Sequence, residues 1–169
     1  MKIAVISDTH AQEPTPWMRA VYQTYLDHAD ILVHCGDITG HSLWSFFLQH
    51  PRLYAVAGNM CDWDLTQELP QKLTFEAQGL NVGVVHGWGS DRRGLSRKVA
   101  ESFGPGVDLV LFGHSHTPEW AEYGATRVLN PGSLRESGNA PTLAYVHVRP
   151  DGALHREHVT VPRMIGTVG

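Results

Sequence analysis

Six apolar runs in this chain each stop at residues that could hold a cation or a phosphate. KIAVIS leads into Asp8-Thr9-His10, DILVHC into Gly36-Asp37, RLYAVA into Gly58-Asn59, NVGVV into His86-Gly87, and VDLVLF into Gly113-His114-Ser115-His116. The sixth run, TRVL, ends in Asn130-Pro131-Gly132-Ser133. Any one of these ends has an ordinary explanation: Asp8 as a turn residue, Asp37 as a helix cap, Asn59 in a left-handed turn, His86 as a satisfied strand-end histidine. Their recurrence is the signal. In open α/β sheets ligands bind in the crevice beyond the carboxyl ends of the strands, so ends far apart in sequence can meet at one site. Residues i and i+2 of an extended segment point the same way, so His114 and His116 can share a target.

The donors so collected are two carboxylates (Asp8, Asp37), one amide (Asn59) and four imidazoles (His10, His86, His114, His116), with no thiolate. This set suits manganese, iron, zinc or nickel better than calcium. A structural zinc site would want four ligands, commonly including cysteine, whereas seven donors around one bridging carboxylate fit two ions about 3.5–4 Å apart. Two divalent ions outweigh two carboxylates and leave a cationic pit suited to phosphate esters.

The elements that must position these residues alternate between strand and helix in the first half of the chain. Strands are expected over residues 2–7, 30–35 and 52–57, with helices over 16–28 and 41–50, the second stopped by Pro51. Residues 61–70 read as irregular. Runs 72–77 and 80–85 flank Gln78-Gly79 as a hairpin, 92–103 is a charged helix closed by Gly104 and Pro105, and 107–112 is a further strand. The remainder, 120–123, 126–129, 143–148 and 153–161, reads mainly as antiparallel strands between Gly and Pro turns.

At 169 residues and 42% hydrophobic content, with no repeat or linker-like tract, residues 1–169 are expected to form one domain. A formal charge of -4 argues against the broad basic surface of a sequence-independent nucleic-acid binder. The opening MKIAVIS is too short for a signal-peptide core or a membrane span, and Cys35 and Cys61 without a leader suggest a reduced, cytoplasmic protein with no disulfide.

The ordered series Asp8-x-His10, Gly36-Asp37, Gly58-Asn59, His86-Gly87 and Gly113-His114-x-His116 resembles the calcineurin-like metallophosphoesterase superfamily over nearly the whole chain. The short length and the Asn130-Pro131-Gly132-Ser133 segment are similar to its small prokaryotic YfcE-type phosphodiesterase branch. The resemblance implies an α/β (α+β) fold, a four-layer αββα sandwich in which two β-sheets pack face to face with helices outside. It further implies that Asp8, His10, Asp37 and His116 hold one divalent transition-metal ion and Asp37, Asn59, His86 and His114 the other, with Asp37 bridging. Manganese comes first among the metals, with iron, nickel or zinc as alternatives. Asp37, Asn59, His86 and His114 would be the catalytic group, and a hydroxide held by the ions would attack a phosphodiester in line with its leaving group.

One departure bears on that chemistry. Many larger members have Gly-Asn-His where this chain has Gly58-Asn59-Met60, and a methionine cannot transfer a proton. Diesters and activated esters are therefore expected to react better than alkyl monoesters. Two alternatives stay open: a noncatalytic interaction module resembling the retromer sorting subunit, and a phosphomonoesterase or nuclease. The expected partner is a small phosphate ester, with no membrane and with homo-oligomers left open. Arg92, Arg93 and Arg135 could grip a phosphate oxygen, Trp63, Trp88 or Trp120 could stack on an aromatic group, and His34 reads as core or support within its strand.

Overall fold

The computed structural model describes residues 1–90, 92–138 and 140–164. Its first strand, β1 (Lys2–Ile6), shows why the apolar runs are continuous rather than alternating. Ile3 and Val5 enter one apolar cluster and Ala4 and Ile6 another, so the strand is buried on both faces. The chain continues through α1 (Pro16–Val21), β2 (Ile31–His34), α2 (His41–Phe47), β3 (Leu53–Ala55), α3 (Trp63–Glu68), β4 (Lys72–Ala77), β5 (Leu80–Val85) and α4 (Leu95–Phe103). It ends in β6 (Leu109–Phe112), β7 (Pro118–Tyr123), β8 (Thr126–Pro131), β9 (Thr142–Val148) and β10 (Leu154–Thr160).

The strands form two mixed five-stranded sheets, ordered β10-β9-β1-β2-β3 and β4-β5-β6-β8-β7. Ile3, Val5 and Val33 of the first pack against Val82, Val84 and Leu111 of the second, which makes the layer between the sheets. Trp17 and Met18 of α1 and Leu43 and Phe47 of α2 cover the outer face of the first sheet, while Leu95 and Val99 of α4 cover Val110 and Phe112 on the outer face of the second. The result is the expected sandwich of helix, sheet, sheet and helix.

Within each sheet the central strands run parallel: β1 with β2, β2 with β3, β5 with β6, and β6 with β8. The loops that leave them therefore gather on one rim. Hydrogen bonds join the rim across the two sheets, the Leu134 N–H donating to the Ser7 carbonyl at 2.9 Å and the Ser133 hydroxyl to the Asp8 carbonyl at 2.9 Å.

Element bounds shift from the sequence expectation in several places, and four of the differences have a local reason. The helix over residues 16–28 is α-helical only to Val21, and Tyr22–Leu26 widens into a π-helical turn in which the Asp27 N–H donates to the Tyr22 carbonyl. The Tyr145 hydroxyl donates to the Tyr25 carbonyl of that turn at 2.8 Å. α3 lies inside the stretch read as irregular, because its six residues bury only Leu65 and show no period. The helix expected from residue 92 starts at Leu95, after Gly94 turns in the left-handed region. The strand over 52–57 shortens to β3 because the Ala57 N–H leaves the ladder for the Pro70 carbonyl.

Candidate metal centre

The backbone marks the site before the side chains do. Six described residues other than glycine have positive φ, and five of them are Asp8 (54°), His10 (45°), Asp37 (60°), His114 (67°) and His116 (58°). Left-handed backbone is unfavourable for side chains with a Cβ and costs of order 1 kcal/mol each. Such strain persists only where surrounding structure fixes it. Here the rim hydrogen bonds do so: the Asp8 N–H donates to the Gly36 carbonyl at 3.0 Å and the His10 N–H to the Asp37 carbonyl at 3.2 Å.

The turns bring one ligand atom each of Asp8, His10, Asp37 and His116 within 4.8 Å of one another. His116 Nε2 lies 2.9 Å from Asp8 Oδ1, and His10 Nε2 lies 3.4 Å from His116 Nε2 and 3.5 Å from Asp37 Oδ2. The other three expected residues join from the far side of Asp37. His86 Nε2 is 3.3 Å from Asp37 Oδ2 and 3.2 Å from Asn59 Oδ1, and His114 Nδ1 is 3.0 Å from Asn59 Oδ1. Asp37 Oδ2 thus faces both groups.

Tautomers show that these atoms want a cation. A backbone carbonyl only accepts, so His86 Nδ1 must donate to the Cys35 carbonyl at 2.7 Å and His114 Nε2 to the Gly89 carbonyl at 2.7 Å. In the neutral rings the remaining lone pairs, on His86 Nε2 and His114 Nδ1, point at oxygens that also accept. Asp8 Oδ1 is fully buried and has no well-formed hydrogen bond, although its Oδ2 takes the Ser7 hydroxyl at 2.5 Å and the His114 N–H at 3.0 Å. Converging lone pairs and an orphaned buried carboxylate oxygen fit divalent ions.

Charge follows the same geometry. Burial would raise the carboxyl of Asp8, but contacts with His10 and His116, the charge of His86 and the Ser7 hydroxyl outweigh it and hold it well below the carboxylate range. Burial would also raise Asp37, and His86 with the Met60 N–H reverses that. His86 is lowered by burial but raised on balance by Asp37 and Asp8. Metal and proton therefore compete for His86.

Metal should therefore stabilise the fold. At about 100 times its Kd, an ion that binds only the folded state adds about 2.7 kcal/mol, or roughly 5–10 °C in Tm for a chain of this size. Calorimetry of chelator-stripped protein with and without manganese, nickel or zinc checks this, and an unchanged Tm with all three would contradict it.

Several side chains support the donors from behind. Asn130 Nδ2 donates to the Gly113 carbonyl at 2.7 Å and to the Ser115 hydroxyl at 3.0 Å, which braces the loop of His114 and His116. His158, given no role from sequence, meets the Asn130 carbonyl at 2.8 Å. His34 is buried under the rim, where Nδ1 accepts the Gly36 N–H at 3.2 Å and Nε2 faces the Thr9 hydroxyl at 3.2 Å. Burial pushes its pKa down to about 3, so it stays neutral and keeps that accepting lone pair.

Two hollows flank the centre. One of about 800 Å³ opens beside Asn59, His86 and His114, and one of about 270 Å³ opens beside His116 with Ser133 and Arg135 on its wall. Among the arginines considered from sequence, Arg135 alone lines either hollow; Arg92 donates to the Ser115 carbonyl at 3.1 Å. Trp88 lines the larger hollow, whereas Trp120 lies under Arg156 and Trp63 is 74% exposed on α3. Cys35 is buried and Cys61 half-buried, both as free thiols raised by burial. No described helix is long and apolar enough to cross a membrane.

Comparison with known proteins bears on the family and the fold. The family model described as the calcineurin-like phosphoesterase superfamily domain matches residues 1–151. A probable metallophosphoesterase of Methanocaldococcus jannaschii is 35% identical over 136 residues, 79% of this chain and 68% of that protein. Among solved structures, a novel archaeal phosphodiesterase superposes with a TM-score of 0.74 at 21% identity, covering 94% of this chain and 100% of the other. Vps29 of Entamoeba histolytica complexed with Zn²⁺ superposes with a TM-score of 0.70 at 21% identity, covering 95% and 99%. With the seven donors gathered on one rim of an αββα sandwich and the family model spanning most of its length, this chain belongs to the calcineurin-like phosphoesterase superfamily.

Proposed function

We propose that the chain is a two-metal phosphodiesterase acting on small phosphate esters, with manganese as the first choice of ion. Asp8, His10, Asp37 and His116 would hold one ion and Asp37, Asn59, His86 and His114 the other, with Asp37 common to both. When bound, such ions supply an activated water and neutralise charge developing on phosphorus. The protein's own contribution is to aim the donors: the Cys35 and Gly89 carbonyls hold His86 and His114 in the tautomers that leave Nε2 and Nδ1 free. A small substrate fits a chain of formal charge -4, which lacks the excess of basic residues that an extended nucleic-acid surface needs.

The observation that carries a diester over a monoester is the pair of hollows at the donor cluster, one beside Asn59, His86 and His114 and the other beside His116. A diester has an ester group for each; a monoester leaves one unused. Met60 supports the same reading. Its side chain is exposed beside Asn59 and has no proton to give, while its N–H donates to Asp37 Oδ1 at 2.8 Å.

The test is hydrolysis of bis(p-nitrophenyl) phosphate by chelator-stripped protein resupplied separately with manganese, nickel, zinc and magnesium. Activity is expected to return with a transition metal. General-acid help is worth roughly 10²–10⁴-fold, so rates should fall steeply as the leaving-group pKa rises. Activity that survives stripping would defeat the proposal, and a flat leaving-group dependence would reveal a proton donor and favour a monoesterase. The fold likeness to Vps29 favours a second reading, a noncatalytic interaction module. Inactivity with every metal would move the conclusion there.

A further inference from the structure

The larger hollow is more than a mouth for the centre. It begins at Asn59, His86 and His114 and runs along mostly apolar wall to a polar end formed by Gln71, Lys72 and Ser102. These come from the loop before β4, the start of β4 and the end of α4. One wall is Trp88, whose indole is 46% exposed. The loop that carries it turns at Gly87 (φ 103°) and Gly89 (φ 87°), a conformation that only glycine adopts freely. That loop is tied to the donor cluster, because the Gly89 carbonyl takes the hydrogen of His114 Nε2. At the far end Lys72 is held in place: Nζ donates to the Ser102 carbonyl and sits 3.8 Å from the Phe103 ring centroid.

An exposed flat indole anchored next to a phosphate-binding rim offers a stacking face, and the Lys72 ammonium and Gln71 amide offer hydrogen-bond donors beyond it. A volume of about 800 Å³ falls in the range of pockets that enclose a ligand of drug size. A flat heterocycle with polar edges fits this sequence of surfaces: apolar and aromatic near the phosphorus, polar at the tip. The hollow beside His116, at about 270 Å³, is smaller, has no tryptophan, tyrosine or phenylalanine among the described residues of its wall and presents Arg135 and Ser133 instead. We infer that the larger cleft is a nucleoside subsite, so the substrate is an asymmetric phosphodiester with its nucleobase against Trp88 and its smaller, polar ester group beside Arg135. This rests on the phosphodiesterase reading above.

The experiment compares adenosine 5′-monophosphate with ribose 5-phosphate, which lacks only the base, as inhibitors of manganese-dependent bis(p-nitrophenyl) phosphate hydrolysis. Stacking of a base on an aromatic side chain makes adenosine 5′-monophosphate bind about tenfold more tightly or better. Trp88→Ala should bring its Ki to that of ribose 5-phosphate and leave the latter unchanged. Trp88→Phe should keep most of the difference, and Trp63→Ala all of it. Equal Ki values in the unaltered protein, or a preference that Trp88→Ala leaves intact, overturn the assignment. If no metal restores hydrolysis, the phosphodiesterase reading fails separately, and the same two ligands are then compared by tryptophan fluorescence quenching of the manganese-treated protein, with the same two outcomes.

Discussion

Asp37→Asn is expected to yield a folded protein that retains less than one divalent ion per chain and hydrolyses bis(p-nitrophenyl) phosphate about 10³-fold more slowly. Asp37 Oδ2 stands 3.5 Å from His10 Nε2 and 3.3 Å from His86 Nε2, closer to both than Asp8 Oδ1 at 3.8 and 4.0 Å, so it is the oxygen best placed to serve both groups of donors. Its Oδ1 is engaged by the Met60 N–H. Asparagine can keep that second contact through its own oxygen, which puts an NH₂ donor where lone pairs converge and removes a negative charge. His86→Ala should behave differently, losing one ion before the other, because His86 Nε2 lies nearer Asn59 Oδ1, at 3.2 Å, than Asp8 Oδ1, at 4.0 Å. Metal content by mass spectrometry, set beside Tm of the stripped proteins, separates lost coordination from lost structure. Two ions retained per chain in Asp37→Asn would refute the shared role.

Gly58→Ala attacks the same carboxylate through space. A Cβ added at Gly58 would lie 2.1 Å from Asp37 Oδ1 and 2.3 Å from Asp37 N, distances that no relaxation of a flexible tip can absorb because one partner is backbone. Overpacking of this kind costs about 1–3 kcal/mol, and displacing a group that orients metal ligands costs about 10–100-fold in metal affinity. The expected result is a lower urea midpoint together with a weakened manganese titration. Gly124→Ala is the control. Unlike Gly58 it has positive φ (64°), so the alanine should destabilise, but nothing lies within 4 Å of its Cβ, so metal affinity should be unchanged. If Gly58→Ala binds manganese as tightly as the parent, the packing argument is wrong.

The parts of the fold that sequence made legible are those where one signal had one cause. β1 and β2 read as strands because burial on both faces demands uninterrupted apolar residues. The gathering of their ends needed only the rule that parallel strands release their loops on one side. α3 was invisible because a six-residue helix with a single buried side chain leaves no periodic trace. The cleft was invisible for another reason: Lys72, Trp88 and Ser102 meet only because β4, the loop after β5 and α4 converge. No local pattern encodes that meeting. Trp63, Trp88 and Trp120 looked equivalent from sequence, and only their surroundings separate them.

The left-handed turns at Asp8, His10, Asp37, His114 and His116 have a wider consequence. Glycine would sit at any of them with less tension, so the chain forgoes robustness at five places to keep its donors there. Energy held in the loops in this way means that the imidazoles and carboxylates are already aimed before anything arrives, and little rearrangement is left for an incoming ion to drive.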